Sequence, residues 1–406
     1  MKMKHAKLIA ILLVLVLLFS MVTACGSSKE SDKPADTTPS GDSAKPDEGK
    51  KDDAAPADTT PAEPSGDADG TIGYITDPVN MDRDPYKIAY LCGSLNWVFN
   101  RTISDFFKAL APKFNVEYTE YDCNNDFDAY INQISTFANN GYDAVVLGTD
   151  DALCSRAVEV AHDEGMVAIG ESTALKDFDG VTQAPSVVQD QYGNGYLTMQ
   201  WLADNYKNYW SEDISGSDKV GLIGLTFSGV TGIQERIPGM CDAFAEAFPA
   251  SKDNWFEGDL VSLGAGFSVD SAYQLTSTFI TTNPQIEKWF VIACVDDWAT
   301  GATRAVEAAK MEDKVLVSCV QGDAFVNEMN GGYSGNVWVS CCYVPALTFA
   351  QYMMAGAVAI LDGRATTETL GPEWKEAGDV AATMKVQGTM LTKDDYAAFV
   401  AAQVVE

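Results

Sequence analysis

The segment Lys87-Ile88-Ala89-Tyr90-Leu91-Cys92 is a short, nearly continuous apolar run. Such a run is typical of a β-strand that is buried on both faces. The polar turn Gly93-Ser94-Leu95-Asn96 follows, and apolar residues then recur at helical spacing, at Ile103, Phe106, Phe107, Leu110 and Phe114. This stripe predicts a helix that packs back on the strand. A strand followed by such a helix is the repeating unit of a parallel sheet.

The same alternation continues in two series. In the first series, apolar runs predict strands at 116–121, 144–148 and 167–170, with helices at 129–138 and 152–162. In the second series, strands are predicted at 219–225, 256–263, 288–294, 314–319 and 337–342, with helices at about 230–247, 269–282, 298–310, 323–330 and 344–361. A length of 406 residues fits two domains. We therefore predict an α/β protein with two Rossmann-like lobes and parallel sheets, whose ligand site would be a cleft if the lobes face each other.

The charge balance excludes several classes of protein. The chain has 58 acidic residues against 27 Lys and Arg, which is a formal net charge of −31. Nucleic-acid binding needs a basic face, so no nucleic-acid partner is expected.

His5 and His162 are the only histidines, and His5 lies in a segment that we predict to be removed. A His-paired metal site and a dinucleotide fingerprint are both missing, so no metal and no cofactor are expected.

The first 24 residues have the composition of a secretory signal peptide. A basic start precedes an unbroken apolar run at 8–19, which is too short to span a hydrocarbon core of about 30 Å. Val22-Thr23-Ala24-Cys25 resembles the lipobox of bacterial lipoproteins. The resemblance implies that the peptide is removed before Cys25 and that the Cys25 thiol carries a lipid. A plain signal peptide with an incidental cysteine is the alternative.

The segment after Cys25 has the composition of a linker. It is rich in Ser, Thr, Asp, Ala and Lys, and the stretch 26–70 has six of the chain's 15 prolines and no aromatic residue. Such a composition cannot bury enough surface to offset the entropy of ordering the chain. We therefore predict that 25–84 contains the lipidated cysteine and a disordered acidic linker, which tethers a folded body to the membrane.

Polar and aromatic residues alternate just past the predicted strands. Ligands of doubly wound sheets bind outside the carboxyl ends of the strands, so these residues are candidates for a site. Aromatic rings can cover the C–H faces of a sugar, and the polar groups can hydrogen-bond its hydroxyls. The candidates are Asn96, Trp97, Phe99, Asp150, Glu171, Arg236, Phe267, Asp296, Trp298, Gln321 and Tyr343.

Structural roles are the alternative for several of these candidates. Trp97, Phe99 and Trp298 would then be packing residues at helix ends, as most aromatic residues are. Asp150 and Asp296 would be helix N-caps, for which Asp is favoured.

The body from about 86 to 406 resembles the type I periplasmic binding proteins, the ribose and galactose binders that serve ABC importers. Asn96-Trp97-Val98-Phe99 is similar to the turn that follows the family's first strand. Arg236-Ile237-Pro238-Gly239 is similar to an Arg-x-x-Gly motif whose Arg touches the sugar, and Phe267 and Asp296 also match family positions. Gln321 stands where the family has an Asp, and Glu171-Ser172-Thr173 replaces its Asp-Arg.

The resemblance implies a chain that crosses between the lobes three times, which makes the ligand cleft a hinged one. The N-terminal lobe is expected at 85–189 with about 344–375, and the C-terminal lobe at 190–343 with about 376–406. We expect a monomeric receptor on the extracytoplasmic face of the cell membrane, not an enzyme, that binds a sugar-like ligand and delivers it to an ABC permease and its ATPase. The alternatives are the ligand-binding input of a membrane sensor and, less favoured, a glycoside hydrolase that uses Asp150 or Glu171 with Asp296.

Overall fold

The computed structural model describes residues 78–149, 151–264 and 268–403, together with Val405. The predicted signal peptide, Cys25 and most of the predicted linker lie outside these residues. No helix among the described residues is long and apolar enough to cross a membrane.

The described residues form twelve strands and eleven α-helices. The strands are β1 Tyr86–Cys92, β2 Val116–Asp122, β3 Ala144–Gly148, β4 Val167–Glu171, β5 Ser186–Gln189, β6 Val220–Thr226, β7 Trp255–Asp259, β8 Lys288–Ala293, β9 Val315–Cys319, β10 Ser340–Tyr343, β11 Thr383–Val386 and β12 Thr389–Thr392. The helices are α1 Val98–Leu110, α2 Phe127–Asn139, α3 Asp151–Asp163, α4 Gln191–Asn205, α5 Thr231–Gln234, α6 Arg236–Ala247, α7 Val269–Thr282, α8 Asp296–Ala309, α9 Asp323–Asn330, α10 Ala346–Leu361 and α11 Tyr396–Ala402.

The first lobe is built on a six-stranded parallel sheet in the order β2-β1-β3-β4-β5-β11. Alternate residues of β1 enter two different cores. Ile88 and Tyr90 pack under α1 and α10, whereas Ala89 and Leu91 pack under α2 and α3. The first strand is therefore buried on both faces, as its continuous apolar run predicts.

The second lobe has a parallel sheet in the order β7-β6-β8-β9. The bridge between Val320 and Cys342 places β10 beside β9, and β12 pairs antiparallel with β10. The predicted strand at 256–263 is shorter in the structure, because Leu260–Leu263 turns into a 3-10 helix.

The chain passes between the two sheets three times. It leaves the first sheet after β5, returns between β10 and α10, and leaves again between β11 and β12. Because β11 pairs with β5, the first lobe extends to Val386 rather than to about 375. The buried Asn194 joins two crossings, since its Oδ1 accepts a hydrogen bond of 2.8 Å from the backbone N–H of Gly388.

Two glycines let α4 and α6 approach closely at the first crossing. A Cβ on Gly195 would lie 2.1 Å from the carbonyl oxygen of Arg236, and a Cβ on Gly239 would lie 2.1 Å from that of Tyr192. Any larger residue would force the helices apart. This contact holds Arg236, the first residue of α6, against the start of α4.

Candidate functional site

A cavity of about 450 Å³ lies between the carboxyl ends of the two sheets. Its volume is in the range of small-molecule sites, which is about 300–1,000 Å³. Its wall includes eight of the residues predicted from the sequence, namely Asn96, Trp97, Phe99, Glu171, Arg236, Asp296, Trp298 and Gln321. Asp150 and Phe267 lie outside the described residues. The position predicted for the site, beyond the carboxyl ends of the parallel strands, thus coincides with a cavity in the structure.

Tyr343 does not belong to the wall of this cavity. It is the last residue of β10, is 4% exposed, and packs edge-on against Phe399 of α11 with 5.5 Å between the ring centroids. The structure therefore places Tyr343 in the core of the second lobe. The cause is α11, which covers this side chain and was not predicted from the sequence.

The aromatic residues of the wall differ in exposure. Trp298 is 1% exposed, and Phe99 is 7% exposed with its ring edge-on to Phe349, so both also serve as core residues. Trp97 is partly exposed, and its ring lies 3.3 Å from where a Cβ on Gly93 would stand. Phe127, the first residue of α2, also lines the cavity and is 45% exposed. Trp97 and Phe127 thus offer the more accessible ring surfaces.

Arg236 is 1% exposed and is held by acceptors from both lobes. Its Nε donates to Gln191 Oε1 at 2.7 Å, and its Nη2 donates to Gln189 Oε1 at 2.5 Å. Its Nη1 donates to the carbonyl oxygen of Cys294. Burial lowers the pKa of the guanidinium. Arg236 therefore joins the first crossing to the second sheet, and the two glutamines were not predicted because the four-residue strand β5 was not recognised.

Asp296 is 3% exposed and accepts hydrogen bonds from backbone N–H groups. Its Oδ2 accepts from Gly322 at 3.0 Å and from Ala324 at 2.6 Å, and its Oδ1 accepts from Asp297 at 3.1 Å. Although Asp296 begins α8, its carboxylate caps the neighbouring α9. Burial raises the pKa of this carboxyl group to about 6.

Glu171 is 2% exposed and lies at the floor of the cavity, at the end of β4. Its Oε1 accepts a hydrogen bond from the Ser172 hydroxyl, and its Oε2 accepts one of 3.3 Å from the Tyr90 hydroxyl. A Cβ on Gly148 would lie 2.4 Å from Oε2, so the carboxylate occupies space that only glycine leaves free. Burial raises the pKa of Glu171 to about 7.

Two residues of the wall have a left-handed backbone. Ser172, with φ 61°, and Gln321, with φ 83°, follow the fourth strand of the first and second lobe respectively. Non-glycine residues adopt such angles at some energetic cost, and they concentrate at binding sites. The two lobes therefore present equivalent sharp turns to opposite sides of the cavity.

Among the described residues, no group of three or more metal-ligating side chains could hold an ion.

Two α/β lobes, three chain crossings and a cavity between the sheets define a hinged ligand-binding protein. A family model described as "periplasmic binding protein domain" matches residues 88–365, and the chain belongs to this family. The membership confirms the predicted fold class and the expectation of a binding protein rather than an enzyme. No curated protein matches the sequence.

Solved structures share the fold at low sequence identity. A glucose-galactose binding protein from Geobacillus stearothermophilus has 15% identity and a TM-score of 0.57, over 77% of this chain and 99% of that one. The arabinose-binding component of an ABC transporter from Shewanella sp. ANA-3, bound to L-arabinofuranose, has 16% identity and a TM-score of 0.60, over 78% and 95%. A solute-binding protein from Bacillus halodurans with bound myo-inositol has 18% identity and a TM-score of 0.56, over 80% and 99%.

Proposed function

We propose that this protein is a lipid-anchored receptor on the extracytoplasmic face of the cell membrane. It binds a sugar or sugar-like molecule in the cavity between its lobes and, as a monomer, delivers it to an ABC permease with its ATPase. The wall of the cavity is the observation that carries this proposal, because it combines accessible rings at Trp97 and Phe127 with polar groups at Asn96, Glu171 and Gln321. Rings and hydrogen-bonding groups together suit a hydroxylated ligand.

The comparisons support the same ligand class. The three similar solved structures are described as binding glucose and galactose, arabinofuranose and myo-inositol. The last two are described as ABC transporter components. At the present levels of identity they share only the fold with this chain. The ligand assignment therefore rests on the cavity wall.

A thermal-shift screen of monosaccharides and cyclitols tests the proposal. A ligand at 100 times its dissociation constant stabilises the folded protein by about 2.7 kcal/mol, which is a clear rise in melting temperature. Trp97→Ala should abolish the shift, whereas Phe178→Ala, which removes an aromatic side chain that is 76% exposed and outside the cavity wall, should retain it. A broad library that produces no shift would refute sugar binding.

The anchor is tested at Cys25. Cys25→Ser should release the protein from the membrane or leave its signal peptide attached, because the serine hydroxyl cannot accept the thioether-linked lipid. Membrane fractionation with a mass measurement of the N-terminus checks this. A Cys25→Ser variant that loses its signal peptide and still stays on the membrane as tightly as wild type would contradict the lipoprotein assignment.

A further inference from the structure

The cavity wall has an excess of acidic groups. Among the residues the structure describes, the wall has three carboxyl groups, those of Glu171, Asp296 and Asp297, and one cationic group, the guanidinium of Arg236. Three carboxyl groups therefore face one cation. A neutral sugar does not compensate such an imbalance, and a buried charge without a partner is costly.

Arg236 and Asp296 are largely engaged within the protein. Each of the three Arg236 nitrogens donates to a protein oxygen, and both Asp296 oxygens accept backbone N–H groups. Their opposite charges also stabilise one another. The acidic groups that are left to a ligand are Glu171 in the first lobe and Asp297 in the second.

Glu171 forms no ion pair within the described part of the chain. Its hydrogen-bond donors are two hydroxyl groups, those of Ser172 and Tyr90. The titratable groups that face it from β1 are Tyr90 and Cys92, and burial raises the pKa of both, so they stay neutral at neutral pH. An ionised carboxylate can accept about four hydrogen bonds, so Glu171 keeps acceptor capacity toward the cavity.

We infer that the ligand of this cavity is a polyhydroxylated molecule with a protonated amine, such as an amino sugar or an aminocyclitol, and that Glu171 pairs with its ammonium group. The inference rests on the proposed function and specifies the substrate class of the same site. The ammonium group supplies the cation that the floor of the cavity lacks. Asp297, in the first turn of α8, adds a second acidic group from the opposite lobe.

Calorimetric titration with matched ligand pairs tests the inference. The pairs are D-glucosamine with D-glucose, D-galactosamine with D-galactose, and an amino-inositol with myo-inositol, and N-acetyl-D-glucosamine controls for size without charge. At about pH 7.5, where Glu171 is mostly ionised and a large share of the amine is still protonated, wild type should bind the amine at least ten times more tightly than its hydroxyl partner in one pair or more. Glu171→Gln should remove this preference, and Glu117→Gln, which changes an exposed carboxylate of the same lobe, should keep it.

A pH series on wild type gives a second readout that needs no variant. The preference for the amine should shrink as the pH falls through about 7, because Glu171 then becomes protonated. A preference that persists in a folded Glu171→Gln variant would overturn the assignment of Glu171. Tight binding of a neutral sugar without any preference for an amine would overturn the inference and leave the proposed function intact. If no member of the pairs and no library sugar binds, the proposed function itself fails.

Discussion

Substitution of Arg236 tests whether this side chain stabilises the folded protein or only contacts the ligand. The resemblance to sugar receptors implies that this arginine touches the ligand, whereas the structure shows it buried with three hydrogen bonds to Gln189, Gln191 and Cys294. A hydrogen bond to a charged group contributes about 1.5–3 kcal/mol, and such contributions are not additive. Its removal leaves three buried acceptors without a donor, at about 1–3 kcal/mol each, so we expect Arg236→Ala to lower the free energy of unfolding of the ligand-free protein by about 3 kcal/mol or more.

Urea denaturation of the ligand-free protein measures this effect. The midpoint should fall while the slope stays constant, since the surface exposed on unfolding hardly changes. Arg236→Lys should recover only part of the loss, because an ammonium group cannot reproduce the planar fork of donors. Arg304→Ala, which removes an exposed arginine of the second lobe, should change stability by less than about 0.5 kcal/mol.

A change in ligand binding without a change in stability would contradict a structural role for Arg236. If Arg236→Ala unfolds at the wild-type urea midpoint and yet weakens ligand binding tenfold or more, the guanidinium contacts the ligand and its three hydrogen bonds within the protein contribute nothing to stability. A loss of both stability and affinity would agree with a residue that positions the lobes around the cavity.

Three further predictions concern the same region. Burial raises the pKa of Glu171 and Asp323 to about 7, above their unfolded values, so both groups stabilise the protein at acidic pH and this stability is lost as the pH rises through about 7. The melting temperature of the Glu171→Gln/Asp323→Asn double variant should therefore depend less on pH than that of wild type, and an equal pH dependence in the two proteins would refute this. Gly148→Ala should weaken ligand binding at least tenfold in calorimetry, because the new methyl group would lie 2.4 Å from a Glu171 oxygen, whereas Gly216→Ala meets nothing within 4 Å and should bind like wild type. Asn194→Ala should lower the free energy of unfolding by about 1–3 kcal/mol in urea titration, because the buried backbone N–H of Gly388 at the third crossing loses its acceptor. A urea midpoint equal to that of wild type would show that this hydrogen bond does not stabilise the crossing.

Much of the architecture was predictable from local sequence pattern. The run at 87–92 and its counterparts in the second lobe are apolar at nearly every position, because strands covered by helices on both sides lie in two cores at once. The cavity wall was predictable for a related reason: the residue after a buried strand lies at the carboxyl edge of the sheet, whatever the rest of the chain does. Asn96, Glu171 and Gln321 were found in this way.

The roles of the charged residues depend on tertiary structure. Arg236 meets Gln189 and Gln191 because α6 packs on α4 beside the first crossing, and Asp296 caps α9 because β8 and β9 are neighbours in the sheet. Four-residue strands such as β5 and β11 are too short to show a periodic pattern, so the sequence did not reveal the glutamines or the true third crossing. The sequence determined which segments are buried, because burial requires apolar residues within each segment itself. The tertiary structure decided which polar groups meet, because their partners are far apart in the chain and come together only when the lobes are packed.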